Sequence, residues 1–239
     1  MSVPPSPQEA RSRLVELVDD IAAGRIAADL ATRFVPLGDE ARPAAVLILF
    51  GVLDAVPSDH VARASRVSPD LDVLLLARAS TLRAHPGQVA FPGGRVDPGD
   101  DGAVAAALRE AREETGLDPA GVEVLGSLSA VPLAFSQHVV TPVLAWWQRP
   151  TPVRAVDLAE SADVFRVPVA DLLDPENRGV TVIRRDGQEW RGPGFLVRHA
   201  AGEYIVWGFT GMLLDGLFDL LGWTEPWDDS RVLPLAPPG

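Results

Sequence analysis

Eight consecutive residues, Arg109-Glu110-Ala111-Arg112-Glu113-Glu114-Thr115-Gly116, set three carboxylates on one side of a helix just downstream of the turn-forming Phe91-Pro92-Gly93-Gly94. At about 100° per residue, Val104, Leu108, Ala111 and Thr115 fall on one stripe, and Glu110, Glu113 and Glu114 on an adjoining one. The spacing predicts a helix over 103–115 with a buried side and an acidic side. Carboxylates this close repel one another, and Arg109 and Arg112 interleave them only in part. An isolated acidic helix face is ordinarily just solvated, so the surrounding sequence decides the reading.

That surrounding sequence is basic. Residues 73–96 carry Arg78, Arg83 and Arg95 and no acid at all. Pro92-Gly93-Gly94 lets the backbone turn sharply and approach a ligand closely, because glycine has no side chain to obstruct contact. Mg²⁺ prefers oxygen ligands and is typically held by one or two carboxylates plus substrate phosphates. The pattern therefore predicts a division of labour. Glu110, Glu113 and Glu114 hold a divalent cation, while Arg78, Arg83, Arg95 and the backbone at Gly93 and Gly94 meet a phosphorylated ligand.

Composition narrows the classes. A chain of 239 residues, 47% of them hydrophobic, supports one full domain with appendages. The absence of cysteine excludes a disulfide framework, a thiolate zinc site and a cysteine nucleophile. A net charge of −12 argues against a nucleic-acid surface, which draws on clustered Lys and Arg. The apolar runs near 44–53 and 212–221 are too short or too interrupted to span a bilayer, and the N-terminus lacks a hydrophobic signal core. A cytoplasmic protein with a small anionic ligand is the expectation.

Periodicity places a helix over 7–33 with Gly24 as a stop or break, and strands at 44–53, 72–78 and 87–91. After the helix at 103–115 come strands at 122–131, 137–147 and 164–169, then one helical turn at 170–173. Short strands near 179–184, 194–199 and 203–207 lead to an apolar helix at 210–221. The division expected is an N-terminal helical appendage for packing or homodimerisation (1–35), a catalytic domain (36–223) and a Pro-rich mobile tail (224–239).

Gly94 through Leu117 resembles the Nudix box, G-x5-E-x7-R-E-U-x-E-E-x-G-U, where U is aliphatic. Arg109, Glu110, Glu113, Glu114, Gly116 and Leu117 fit in register, with Ala111 at the first aliphatic place. Gly94 lies one residue further upstream than the pattern asks, and Asp100 or Asp101 stands where the box has its first Glu. Upstream, Leu74-Leu75-Leu76-Ala77-Arg78-Ala79, Arg83, Gly87 and Phe91-Pro92-Gly93-Gly94 resemble the signature of the coenzyme A pyrophosphatase branch, with Leu76 in place of Thr. Val139–Val143 and Val206–Thr210 resemble further segments of that branch, and both read as structural strands.

The resemblance implies an α+β fold, a Nudix-type α/β/α sandwich with a mixed sheet. It also implies Mg²⁺- or Mn²⁺-dependent hydrolysis of the diphosphate of coenzyme A or its thioesters. Glu110, Glu113 and Glu114 would be metal ligands, Glu110 or Glu113 would help as base, and Arg109 would aim Glu113. Glu160 or Asp163 would complete the site from outside the box, and His138 is the histidine placed to touch ligand or water. His60, His85 and His199 read as surface or structural residues. Within the same chemistry the alternatives are ADP-ribose, NADH or dinucleoside polyphosphates as substrates. Outside it stands a catalytically silent nucleotide-binding module.

Overall fold

The computed structural model describes residues 6–26, 30–34, 41–52, 58, 67–79, 87–133, 136–185, 187–199 and 202–235. Arg83, His60 and His85, all named from sequence, lie outside them. Along the chain, α1 (Pro7–Ala22) precedes β1 (Arg42–Val52), β2 (Leu71–Arg78), β3 (Val89–Ala90), β4 (Gly93–Arg95) and α2 (Gly102–Thr115). Then come β5 (Val122–Ser127), β6 (Val131–Leu133), β7 (His138–Trp147), β8 (Ser161–Pro168) and the short α3 (Val169–Leu173). β9 (Arg178–Arg185), β10 (Gln188–His199), β11 (Gly202–Val206) and α4 (Gly208–Leu221) complete the order.

β1 is the axis of an eight-stranded mixed sheet. It pairs in parallel with β7 from Arg42 opposite His138 to Phe50 opposite Trp146, and antiparallel with β2 and β4. β8 and β3 both pair with β2, and β5 and β6 pair with β7. Both faces of this sheet are covered, which is why β1 and β7 read as continuous apolar runs rather than alternating ones. Ala45, Leu47 and Leu49 point to one side, where Leu74, Val143, Ala145 and Trp147 join Ala106, Ala107 and Ala111 of α2. Ile48, Phe50, Val73, Leu75, Leu144 and Trp146 point to the other, against α1 and α4. The three alanines let α2 settle close to the sheet. The result is an α/β/α sandwich.

α1 starts at a Ser6–Glu9 capping box with Pro7 in its first turn and buries Ala10, Leu14, Leu17 and Val18. It ends at Ala22, before Gly24 with φ +66°. The helical stretch expected over 7–33 thus stops at the glycine named from sequence as its break, and a separate 3-10 turn follows at Leu30–Arg33. A helix needs right-handed φ at every residue, and Gly24 takes the left-handed region that glycine alone enters freely.

β9, β10 and β11 form a second, three-stranded antiparallel sheet. Part of the segment expected as a Pro-rich tail packs against this second sheet. Trp223 and Leu233 are buried, and Leu233 N–H donates to Val180 O at 2.9 Å while Val180 N–H donates to Arg231 O at 2.7 Å. Trp227 covers one face of the buried Arg178 guanidinium at 4.5 Å, Phe195 stacks on it at 4.8 Å, and Asp215 of α4 pairs with it. The prolines suppress regular secondary structure, but the interleaved Trp and Leu side chains still have apolar surface to bury.

Candidate active site

α2 carries the three glutamates, and β4 lies across them. Gly93 N–H donates to Glu114 Oε2 at 2.9 Å. A Cβ on Gly94 would overlap the Glu110 carboxylate, so that carboxylate rests against bare backbone. Both glycines therefore act toward the helix. Beside the ligand contact expected of them, they admit and fix the two carboxylates.

Glu110 and Glu114 form the inner pair. Burial pushes the Glu114 carboxyl up to about 7, reinforced by the charges of Glu110 and Glu160 and opposed by the Gly93 N–H bond and the Arg78 guanidinium. Glu110 is also raised, chiefly by burial, against the pull of Arg109. Glu113 stands apart, with 58% of its side chain exposed and its Oε2 3.2 Å from Arg109. Helical geometry explains the separation. Glu114 is displaced about 40° from Glu110 in one direction and Glu113 about 60° in the other.

Arg109 is the hub of the outer side. Its Nε and Nη2 donate to the two oxygens of Asp100 at 3.0 and 2.9 Å, its Nη1 to Glu110 at 2.9 Å and to Glu113 at 3.2 Å, and its Nη2 also to Arg95 O at 2.9 Å. This settles the open choice between Asp100 and Asp101. Asp100 makes the two-pronged pair that holds its own pKa below the usual range, whereas Asp101 is the residue before the first turn of α2 and makes no side-chain cap. The one-residue-longer loop brings the shorter Asp to the arginine.

Of the basic residues, Arg78 at the end of β2 acts on Glu114, and its buried Nε has no hydrogen-bond partner among the described residues. Arg95 is exposed and contributes its carbonyl to Arg109. His138 opens β7 opposite Leu133 and Arg42, half-buried. Glu160 and Asp163 part company: Glu160 lies within electrostatic reach of Glu114, while Asp163 accepts from Tyr204 on the opposite face of the sheet.

The donor set fits a hard divalent cation. Two adjacent carboxylates that disfavour being charged together, with an arginine beyond them, match an ion that takes two protein ligands and completes its shell with water and phosphate. Among the described residues no three His, Cys, Asp or Glu groups converge into a ready-made metal centre. Glu110 and Glu114 would hold the ion, with Glu113 on the flank.

Two measurements follow. Because the folded-state carboxyl of Glu114 titrates near 7 rather than 4.5, its contribution to stability is fully present below about 4.5 and is lost as pH rises through 7. In metal-free urea titrations, the stability of Glu114→Gln minus that of the native chain should rise by about 3 kcal/mol between pH 4 and pH 8. A flat difference would show that the carboxyl is not perturbed. Gly94→Ala should displace the Glu110 side chain rather than backbone, lowering kcat at least about tenfold with a melting temperature within about 3 °C of the native one.

The NUDIX domain pattern matches residues 61–186, more than half of the chain. A protein of Cronobacter sakazakii named "Uncharacterized Nudix hydrolase NudL" is 40% identical over 146 residues, 61% of this chain and 73% of that one. Its namesake in Photorhabdus laumondii is 35% identical over 150 residues, 62% of this chain and 76% of that one. A solved Nudix hydrolase from M. smegmatis, RenU, aligns at 24% identity with a TM-score of 0.42, covering 56% of this chain and 74% of that one. The chain belongs to the Nudix family and is one of its pyrophosphohydrolases. Nudix hydrolases generally use divalent metal ions. Among the described residues no helix is long and apolar enough to cross a membrane.

Proposed function

We propose that the protein hydrolyses the diphosphate of coenzyme A or its thioesters in the cytoplasm, giving 3′,5′-ADP and 4′-phosphopantetheine or its acyl derivative. The observation that carries the reading is the juxtaposition of the Glu110–Glu114 pair with Arg78, whose Nε is buried without a partner among the described residues. Arg78 belongs to the sequence signature shared with the coenzyme A branch, and a diphosphate oxygen is the acceptor its guanidinium fits.

Bound Mg²⁺ or Mn²⁺ would supply charge neutralisation at the diphosphate and acidify water. The chain's residues supply the rest. Glu110 and Glu114 set the position of the diphosphate, and Arg109 with Asp100 keeps Glu110 aimed. Arg78 orients one phosphate, and Arg83 and Arg95 are the further cations for the ligand's remaining phosphate. Glu160, exposed and within electrostatic reach of Glu114, accepts the proton of the attacking water. The water oxygen bonds to one phosphorus, the bridging P–O bond breaks in line, and its electron pair leaves on the departing phosphate.

The test is chromatography of products after incubation with coenzyme A, acetyl-coenzyme A, ADP-ribose and NADH, each with Mg²⁺, Mn²⁺ or EDTA. The expected result is metal-dependent 3′,5′-ADP from the coenzyme A substrates at the highest kcat/KM. Preference for ADP-ribose or NADH would discard the substrate and keep the chemistry. Ligand binding without turnover in any arm would replace the reading by a nucleotide-binding module.

A further inference from the structure

Where β8 comes closest to Arg78 its ladder with β2 slips. Ala77 faces Asp163 but Arg78 faces Ser161, which makes Ala162 the extra residue of a bulge. A bulge bends its strand and re-aims the side chains beside it. Immediately before it, Glu160 O accepts from Ala79 N–H at 2.9 Å, so the backbone of Glu160 is tied to the residue after Arg78.

On the far face of the sheet a second set of contacts grips the bulge from the three-stranded sheet. Asp163 Oδ2 accepts from Tyr204 Oη at 3.4 Å and lies 3.2 Å from His199 Nδ1. Both rings stack on Phe165, two residues further along β8, each with centroids 5.1 Å apart, at interplanar angles of 15° for Tyr204 and 24° for His199. Asp163 Oδ1 in turn accepts from Val164 N–H at 2.9 Å. The acid is held from the side opposite the site, and its neighbours in sequence are Ser161 and Glu160.

We infer that Asp163, His199 and Tyr204 are positioning residues: they clamp the β8 bulge from behind and so aim the Glu160 side chain toward Glu114. The inference rests on the hydrolase reading, in which Glu160 takes the water proton. A misplacement of about 1 Å at such a group costs on the order of a hundredfold in rate. The β10–β11 hairpin, which supplies none of the box residues, thereby sets the geometry of the reaction.

The test combines a double-mutant cycle with amide exchange. kcat and KM for coenzyme A with Mg²⁺ are measured in Asp163→Asn, Glu160→Gln and the double variant, with Tyr204→Phe, which keeps the stacked ring, as the milder probe. Asp163→Asn should lower kcat about tenfold at unchanged KM, Tyr204→Phe severalfold, and the double variant should be no slower than Glu160→Gln alone. Amides of a peptide spanning 158–163 should exchange faster in Asp163→Asn. Native kcat in Asp163→Asn, or losses that multiply in the double variant, would overturn the inference. If the native protein turned over no substrate the hydrolase reading would fail, and exchange would still decide the clamp: faster exchange sustains it, unchanged exchange removes it.

Discussion

Glu114→Gln is expected to lower kcat by at least about a thousandfold while leaving the metal-free fold at least as stable near pH 7. The amide keeps an oxygen to accept the Gly93 N–H bond and has the volume of the carboxyl it replaces. What it removes is one negative charge beside Glu110, the charge on which the proposed cation site depends. Loss of a metal ligand forfeits several kcal/mol of transition-state stabilisation, and about 4 kcal/mol corresponds to a thousandfold. The folded state loses a carboxylate that burial had made costly. Steady-state kinetics with saturating Mg²⁺ and a thermal melt in EDTA check both halves. Activity within about tenfold of native would remove Glu114 from the metal site.

Gly93→Ala should show the opposite pattern, a failure of folding rather than of chemistry alone. Its Cβ would overlap the carbonyl oxygen of Ala45 and lie 2.7 Å from Val46 Cα, both backbone atoms of the central strand. Neither can rotate away, so β4 would have to leave β1. That breaks the rungs pairing Ala44–Val46 with Gly93–Arg95 and withdraws the donor to Glu114. Overpacking of this kind costs about 3 kcal/mol or more, and about 2–4 °C of melting temperature per kcal/mol puts the loss near 10 °C. A differential scanning melt of Gly93→Ala beside Gly94→Ala tests it. Similar melting temperatures for the two would show that β4 has slack.

The long periodic elements were legible from sequence. The helix expected over 103–115 is α2, the runs at 44–53 and 72–78 are β1 and β2, and the apolar segment at 210–221 is α4. Each carries a repeat that burial enforces over several residues. Pro92-Gly93-Gly94 reads as a turn, since two glycines have no strand preference, and only the register with Ala44–Val46 makes Gly93–Arg95 the strand β4. The run expected at 122–131 splits into β5 and β6, with a slip after Val124 at Gly126, where Val18 of α1 fills the space a Cβ would take. That constraint comes from a helix roughly a hundred residues earlier and leaves only a glycine in the sequence.

In the site, the residue types were legible and their pairings were not. Helical spacing alone gives Glu110 and Glu114 as the closer pair, but it does not say that β4 would press on those two and leave Glu113 to Arg109. Which of Asp100 and Asp101 reaches Arg109 depends on loop geometry, and which of Glu160 and Asp163 comes within electrostatic reach of Glu114 depends on a bulge. Asp163, His199 and Tyr204 gave no local signal, because three residues from two sheets converge only through tertiary packing.

The parallel ladder between β1 and β7 also sets an order of events during synthesis. Val143, Ala145 and Trp147 form part of the surface that receives Ala106, Ala107 and Ala111. They are translated after those alanines, and β7 must then return across the whole intervening chain to lie beside β1. A nascent chain that has not yet extruded Trp147 therefore holds the acidic helix with part of its apolar side still wet, and the carboxylate pair gains its full backing only once the end of β7 has left the ribosome.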